Sequence, residues 1–126
     1  MKNMENIKNT DIYLLDQILK NRFLKGFKIL DAGCGSGRNM TYFIHNGFNI
    51  TGIDIDENQI ETLQKQYRKH QFKVAGLEEI PFSENHFDYI ICNAVLHFAK
   101  SEKHFFDMFS ELFRVLKRNI IYTNDF

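Results

Sequence analysis

The sequence contains no tryptophan, one proline and two cysteines, and its charges cancel, because 16 basic residues balance 16 acidic ones. A balanced charge provides no overall field that would recruit nucleic acid or an anionic membrane surface. Cys34 and Cys92 lie far apart and match no metal or redox spacing. No apolar run is long enough to span a membrane, and the polar N-terminal stretch lacks the apolar core of a secretory signal. We therefore expect a cytoplasmic protein, and nothing in the composition indicates a metal, membrane or nucleic-acid partner.

Short apolar segments alternate with helical patterns over the 126 residues, a length that suits one domain with a substantial core. Helices are predicted before the first strand and after strands one, two and four. Such an alternation is typical of βαβ units, which form a parallel sheet with helices on both faces. The sequence therefore predicts a three-layer α/β sandwich, with strands at residues 28–31, 48–54, 72–75, 87–93 and 120–123.

Side chains that favour helix starts precede three of these helices. Asn9 or Thr10 is predicted to cap the first helix, Asp56 the third and Ser101 the fourth. The apolar positions of the first helix recur at helical spacing and predict one buried face. That face comprises Ile12, Leu15, Leu19 and Phe23.

The segment KILDAGCGSGRN, residues 28–39, joins the first strand to the second helix through three glycines at alternating positions. Glycine is needed where the chain turns with positive φ or where backbone must lie directly against a ligand. The N–H groups at the start of the following helix are unpaired and point toward whatever lies over the turn. A strand, a glycine turn and a helix start together predict a site for a nucleotide-like ligand.

The spacing within this segment excludes two common nucleotide motifs. The dinucleotide pattern G-x-G-x-x-G fails because Arg38 stands at the third glycine position, and the chain contains no Gly-Lys pair for a phosphate-binding loop. Asp31 precedes the glycines, and a carboxylate there disfavours a pyrophosphate but suits a ligand with a cation and hydroxyls.

The segment ILDAGCGSGRN resembles the S-adenosylmethionine-binding loop of the class I methyltransferases, in particular the branch with small-molecule and quinone-pathway enzymes. The resemblance covers residues 29–121 and implies a single domain over residues 1–126 with strand order 3-2-1-4-5. The family's sheet normally has two further strands, which this sequence lacks after its fifth strand. We consider a fragment of a longer protein, a minimal enzyme that pairs with another chain, or a degenerate binding module. The apolar edge of strand five predicts a homodimer.

The resemblance also implies which residues bind S-adenosylmethionine, and S-adenosylhomocysteine as the product. Asp54 ends strand two and is expected to bind the ribose hydroxyls, with Ile55 against the adenine, although Asp54 could instead only cap a turn. Asp31 is expected to contact the methionine ammonium group or to hold the loop amides. The loop residues expected to lie against the methionine portion are Ala32, Gly33, Cys34, Gly35 and Gly37.

The third element of the resemblance, residues 76–88, departs from the family pattern. Gly76 stands where the family usually has an aspartate that meets the adenine amino group. We expect Leu77 to present its backbone N–H to the ring and Glu78 to serve as the next available acceptor.

The fourth element, ICNAVLHF, follows strand four, where residues flank the transferable methyl group in this family. Asn93 is predicted to bind near the cofactor and to steer the acceptor, and His97 to remove its proton. The alternative for His97 is a structural link between helix and loop. The remaining histidines show no metal-ligand spacing and are expected at the surface or at helix caps: His45, His70, His86 and His104.

The predicted function is S-adenosylmethionine-dependent methyl transfer to a small-molecule acceptor. The alternative is a noncatalytic module that binds S-adenosylmethionine or S-adenosylhomocysteine, or an inactive fragment. A catalytic thiol at Cys34 is a weaker alternative, because no base lies beside it in sequence. An NAD-binding domain is a distant third function.

Overall fold

The computed structural model of the protein describes residues 10–93, 95–117 and 121–123, without the side chains of Ile12, His97 and residues 121–123. A short 3-10 turn follows the fourth strand, at Leu96–Phe98. The helices and strands, in chain order, are α1 Ile12–Leu19, β1 Lys28–Ala32, α2 Thr41–His45, β2 Asn49–Asp54, α3 Glu57–Gln66, β3 Gln71–Val74, β4 Tyr89–Cys92, α4 Glu102–Val115 and β5 Ile121–Thr123.

The five strands form one parallel sheet in the order β3-β2-β1-β4-β5, as predicted. β1 lies at the centre, where Asp31 is in register with Gly52 of β2 and Ile91 of β4. Because the strands are parallel, their carboxyl ends meet at one edge of the sheet, which is where ligands bind in such folds. β5 forms an edge of the sheet, and its side chains lie outside the described residues, so the homodimer stays a prediction.

Alternate residues of the central strands enter two apolar clusters, one on each face of the sheet. In β1, Ile29 packs with the side chains of α1, α2 and α3, whereas Leu30 and Ala32 pack with α4. In β4, Ile91 enters the first cluster and Ile90 the second. Helices therefore cover both faces, and the predicted three-layer arrangement is confirmed.

The helix starts follow local capping chemistry. The Asp56 side chain accepts hydrogen bonds from the amides of Asn58 and Gln59, and the Ser101 hydroxyl accepts one from the amide of His104, so both predicted caps are confirmed. The longest helix, α4, has 14 residues, and no helix within the described ranges is both long and apolar enough to cross a membrane.

The first helix differs from its prediction in both cap and face. Asp11, rather than Asn9 or Thr10, accepts hydrogen bonds from the first amides of α1. The helix buries Leu14 and Ile18, whereas Leu19 of the predicted face is 56% exposed. Phe23 is buried as predicted, although it follows the helix, and the side chain of Ile12 lies outside the described residues. Both sets of apolar residues have helical spacing, so the contact with the sheet decides which set is buried.

Candidate functional site

The glycine loop follows β1 and is fastened to the end of β2. The amides of Gly33 and Cys34 both donate to the carbonyl oxygen of Ile53, at 2.8 and 2.9 Å. Gly33, Gly35 and Gly37 have φ of +78°, +54° and +83°, so the predicted need for positive φ is confirmed at all three. A Cβ atom on Gly33 would lie 2.4 Å from Cγ2 of Val95, so this glycine also permits close contact with the segment after β4.

Two buried acceptor oxygens lie at the carboxyl ends of the neighbouring strands β1 and β4. Oδ2 of Asp31 and Oδ1 of Asn93 have no hydrogen-bond partner within the part of the chain that the structure describes. Burial raises the pKa of Asp31 from 3.8 to about 7; the nearby Arg38 charge opposes this rise and Asp54 adds to it. A buried carboxylate oxygen without a donor is costly, so this pair of oxygens favours a ligand that brings N–H donors and positive charge.

Asp54 connects the glycine loop to the start of α3. Its Oδ2 accepts a hydrogen bond from the amide of Gly35 at 2.8 Å, and its Oδ1 accepts one from the amide of Asp56 at 2.9 Å. The alternative role as a turn cap is therefore present in the structure. It does not exclude ligand binding, because a carboxylate offers about four acceptor positions and these bonds occupy two of them.

A cleft of about 390 Å³ opens at the carboxyl edge of the sheet. It brings together six of the predicted cofactor-binding residues, namely Gly33, Asp54, Ile55, Leu77, Glu78 and Asn93. The other lining residues are Ala75, Gly76, Val95, Phe98, Lys100, His104 and Met108. Five residues predicted to bind cofactor are absent from the lining, namely Asp31, Ala32, Cys34, Gly35 and Gly37.

Three members of this second group are buried, so they do not reach the surface of the cleft. Asp31, Ala32 and Cys34 are 2%, 0% and 6% exposed. Burial raises the pKa of the Cys34 thiol far above its ordinary value, which favours the thiol over the thiolate and argues against the alternative of a catalytic thiol. A Cβ atom on Gly52 would lie 2.9 Å from Sγ of Cys34, which shows that this side chain packs tightly against β2.

Glu78 occupies the space that a side chain at position 76 would need. A Cβ atom built on Gly76 would lie 2.5 Å from Oε1 of Glu78. The pKa of Glu78 is lowered, first by a hydrogen bond from its own backbone amide and then by one from His104. Oε2 of Glu78 lies 3.2 Å from Nε2 of His104. The Glu78 carboxylate therefore lies within 2.5 Å of the position from which a side chain at residue 76 would start.

The cleft wall formed by Val95, Phe98, Lys100, His104 and Met108 was predicted only in part. Val95 and Phe98 belong to the segment that was expected beside the transferable methyl group, whereas the other three were missed. Phe98 is 69% exposed, so the wall includes an apolar surface open to solvent. The cap at Ser101 was a signal that His104 lies in the first turn of α4, but only the folded loop shows that it faces Glu78. The side chain of His97 lies outside the described residues, so its predicted catalytic role is not tested. No cluster of three potential metal ligands occurs in the ranges described above.

A second groove, larger at about 770 Å³ and more open, lies between residues 74–83 and α4. Its charged side chains fasten the loop. Oε1 of Glu111 accepts a hydrogen bond from the amide of Ile80, and Arg114 donates to the carbonyl oxygens of Ile80 and Phe82. Because these groups are already bonded to backbone, the smaller cleft is the better candidate for a ligand site.

Comparison with known proteins yields matches across most of the chain. A family model described as a methyltransferase domain matches residues 30–122. The 24-methylenesterol C-methyltransferase 3 of Arabidopsis thaliana is 35% identical over 113 residues, covering 79% of this chain and 29% of that protein. The ubiquinone biosynthesis O-methyltransferase of Rickettsia akari (strain Hartford) is 30% identical over 99 residues, covering 74% of this chain and 39% of that protein. The chain thus spans well under half the length of these relatives.

A solved structure of a SAM-dependent methyltransferase from Methanosarcina mazei has a similar fold. Its TM-score is 0.76 at 30% identity, and the match covers 84% of this chain and 55% of that one. S-Adenosylmethionine is the cofactor of such enzymes, with S-adenosylhomocysteine as product, and the cleft offers the acid and glycine features expected for it. By its strand order, its glycine loop and the match over residues 30–122, the chain belongs to the class I S-adenosylmethionine-dependent methyltransferase family.

Proposed function

We propose that this chain binds S-adenosylmethionine in the cleft and transfers its methyl group to a small-molecule acceptor. The observation that carries the proposal is the pair of buried acceptors, Oδ2 of Asp31 and Oδ1 of Asn93, which have no donor in the described ranges. An ammonium group supplies both the positive charge and the N–H donors that these oxygens lack. The methionine portion of the cofactor carries such a group, so the residues present fit it.

The remaining cleft residues suit the other parts of the cofactor. Asp54 is proposed to accept the ribose hydroxyls with the positions that its two backbone hydrogen bonds leave free. Ile55 is 76% exposed on the cleft wall and provides an apolar face for a purine ring. Leu77 and Glu78 line the same end of the cleft and are proposed to meet the edge of that ring.

Methyl transfer from a sulfonium group needs no covalent intermediate with the protein. S-Adenosylmethionine supplies an electrophilic methyl group on a sulfonium centre, so the protein contributes alignment and exclusion of water. Asn93 is proposed to orient the reacting groups, because it lines the cleft directly after β4. His97, in the 3-10 turn Leu96–Phe98, is proposed to accept a proton from an acceptor hydroxyl.

Two observations support a small-molecule acceptor. The chain has no excess of positive charge to attract nucleic acid. Val95, Phe98 and Met108 give the cleft wall an apolar part. The two curated relatives described above are named for a sterol and for ubiquinone biosynthesis. We infer that the acceptor carries an apolar surface. A noncatalytic binding module is not favoured, because these relatives are named methyltransferases.

Calorimetric titration with S-adenosylhomocysteine tests the binding half of this proposal. We expect saturable binding by the wild type and a loss of about tenfold or more in Asp54→Asn, which removes a charged acceptor. Glu61→Gln is the matched control, because Glu61 is paired with Lys65 on the exposed side of α3. No binding at millimolar ligand would overturn the proposal.

A methyl-transfer screen tests the catalytic half. Radiolabelled S-adenosylmethionine is offered with thiols, phenols, quinols and sterols, and label transfer is measured for the wild type and His97→Gln. We expect transfer to at least one apolar acceptor, with His97→Gln lowering turnover on hydroxyl acceptors while cofactor affinity is kept. Binding without transfer to any acceptor would support the noncatalytic alternative.

A further inference from the structure

His104, at the start of α4, makes three hydrogen bonds, one through its backbone amide and two through its ring nitrogens. Its backbone amide donates to Oγ of the cap residue Ser101 at 3.0 Å. Its ring Nδ1 lies 2.9 Å from the backbone amide of Lys100, and its Nε2 lies 3.2 Å from Oε2 of Glu78. The imidazole therefore joins the N-terminus of α4 to the loop that carries Glu78.

The partners of the ring select one neutral tautomer. A backbone amide can only donate, so Nδ1 must accept the hydrogen bond from Lys100 and carries no proton. An ionised carboxylate can only accept, so Nε2 must carry the ring proton and donate it to Glu78. Both neighbours thus require the same form of His104, and the ring is fixed in one orientation.

Two hydrogen bonds hold the Glu78 carboxylate, one from its own backbone amide and one from the His104 ring, and only the second comes from another element of the fold. The side chain of Glu78 is 47% exposed, and long exposed carboxylates otherwise sample several rotamers. Gly76 leaves open the space that the carboxylate fills, with 2.5 Å between its projected Cβ position and Oε1. His104, which is 24% exposed, provides the fixed donor that keeps Oε2 at the cleft wall.

We propose that His104 is a positioning residue that sets the selectivity of the cleft for a purine with an exocyclic amino group over one with a carbonyl at the same place. This inference rests on the proposed function. A carboxylate held at the ring edge accepts a hydrogen bond from an amino group, whereas it faces a carbonyl with no proton between them. A mobile carboxylate can turn away from the carbonyl, and the discrimination is then lost.

The experiment compares S-adenosylhomocysteine with S-inosylhomocysteine, whose purine has a carbonyl in place of the amino group, by calorimetric titration of four proteins. These are the wild type and the variants His104→Asn, His104→Gln and His45→Asn. The asparagine oxygen can still accept from Lys100 but the side chain is too short to reach Glu78, whereas the glutamine amide can reach it. His45 contacts Tyr67 and does not line the cleft, so it is the control.

We expect the wild type, His104→Gln and His45→Asn to prefer the adenosyl ligand by about tenfold or more, and His104→Asn to fall to within about twofold. A His104→Asn variant that keeps the full preference, or a wild type that binds both ligands equally, would overturn the inference while leaving the proposed function intact. A wild type that binds neither ligand would overturn both.

A second measurement, for the case that His104→Asn folds poorly, moves the carboxylate from residue 78 to residue 76. The double variant Gly76→Asp/Glu78→Ala places the acid where it no longer depends on the imidazole, and Gly76 does not have positive φ. We expect this double variant to prefer the adenosyl ligand with His104 intact and also with His104→Gln or His104→Asn added. A preference that vanishes when Glu78→Ala alone is made, and returns in the double variant, supports the assignment; a preference unaffected by Glu78→Ala contradicts it.

Discussion

Two carboxylates of the candidate site lie in opposite environments: Asp31 is buried in β1 outside the cleft lining, and Glu78 is on the cleft wall. We call these positions the buried end and the exposed end of the site. At one end, Asp31 is 2% exposed and its Oδ2 has no hydrogen-bond donor among the described residues. At the other end, the side chain of Glu78 is 47% exposed and receives a hydrogen bond from His104. The pKa of Asp31 is raised to about 7 by burial, whereas the pKa of Glu78 is lowered, chiefly by its own backbone amide.

The difference in burial predicts that the two carboxylates contribute to ligand binding in different ways. The buried acid is destabilised in the free protein and recovers that energy when a cation arrives, which favours affinity and proton release on binding. The exposed acid is already satisfied and oriented, so it contributes selectivity more than affinity. Variants at the two ends should therefore differ in the size and kind of their effects.

The largest expected effect is on ligand binding at the buried end. Asp31→Asn removes the charge that we propose to pair with the ligand ammonium group, and we expect S-adenosylhomocysteine binding at pH 8 to weaken about 100-fold. Asp88→Asn is the matched control, because Asp88 accepts from the amide of Lys28 at the opposite end of the same strand. Calorimetry measures both. Equal losses in the two variants would show that the effect is structural and that the buried acid does not bind the ligand.

The same acid predicts how stability changes with pH in the free protein. The pKa of Asp31 is 3.8 unfolded and about 7 folded. Below pH 3.8 the carboxyl group is protonated in both states, so its ionisation does not affect the free energy of unfolding. Between pH 3.8 and about pH 7 the unfolded state ionises more readily than the folded state, so the free energy of unfolding falls as the pH rises. We expect Asp31→Asn to be more stable than the wild type above pH 7 by on the order of a few kcal/mol, with the difference shrinking toward pH 4. Urea unfolding of both proteins across this range measures it; a pH-independent difference would contradict the assignment.

Ligand binding should reverse this trend. A cation favours the ionised carboxylate of Asp31, so the affinity for S-adenosylhomocysteine should rise from pH 6 to pH 8 and binding near pH 7 should release protons. Titration in two buffers of different ionisation enthalpy measures the proton release. Asp31→Asn should show less release than the wild type.

Alanine substitutions at Gly33 and Gly76 compare how tightly the backbone is packed near the glycine loop and near Glu78. Gly33 has φ of +78°, and its projected Cβ lies 2.4 Å from Cγ2 of Val95, so Gly33→Ala should cost about 2–3 kcal/mol of stability. Gly76 does not have positive φ, and the atom nearest its projected Cβ is the far end of the flexible Glu78 side chain. Gly76→Ala should therefore cost less than about 1 kcal/mol. Urea unfolding of both variants tests the order, and a reversed order would contradict the comparison.

The smallest expected effect is at the exposed acid itself. Glu78→Gln keeps an oxygen that can accept from a purine amino group, so the affinity for S-adenosylhomocysteine should fall only about fivefold. The same variant should bind S-inosylhomocysteine better than the wild type, because the amide can also donate. Glu79→Gln is the control, since Glu79 lines the second groove and not the cleft. A loss at Glu78→Gln as large as that at Asp31→Asn would remove the distinction between the two ends.

The order of the strands and the position of the loop were predictable from sequence because each depends on local signals. Alternating strands and helices predict a parallel sheet, and three glycines within five residues predict a turn with positive φ. Asp54 was identified by its place at the end of β2 and lines the cleft, while its contact with the ribose stays a prediction. Such features need only the covalent chain and its backbone preferences.

The choice between equivalent faces and the partners of flexible side chains depended on tertiary contacts. The buried face of α1 carries Leu14 and Ile18, because packing against the sheet, and not helical spacing, distinguishes it from the alternative face. His104 and Glu78 are 26 residues apart, and only the folding of the loop against α4 brings them within 3.2 Å. The sequence by itself determined the backbone of the site; tertiary packing decided which side chains share the cleft, since their contacts lie between elements distant along the chain.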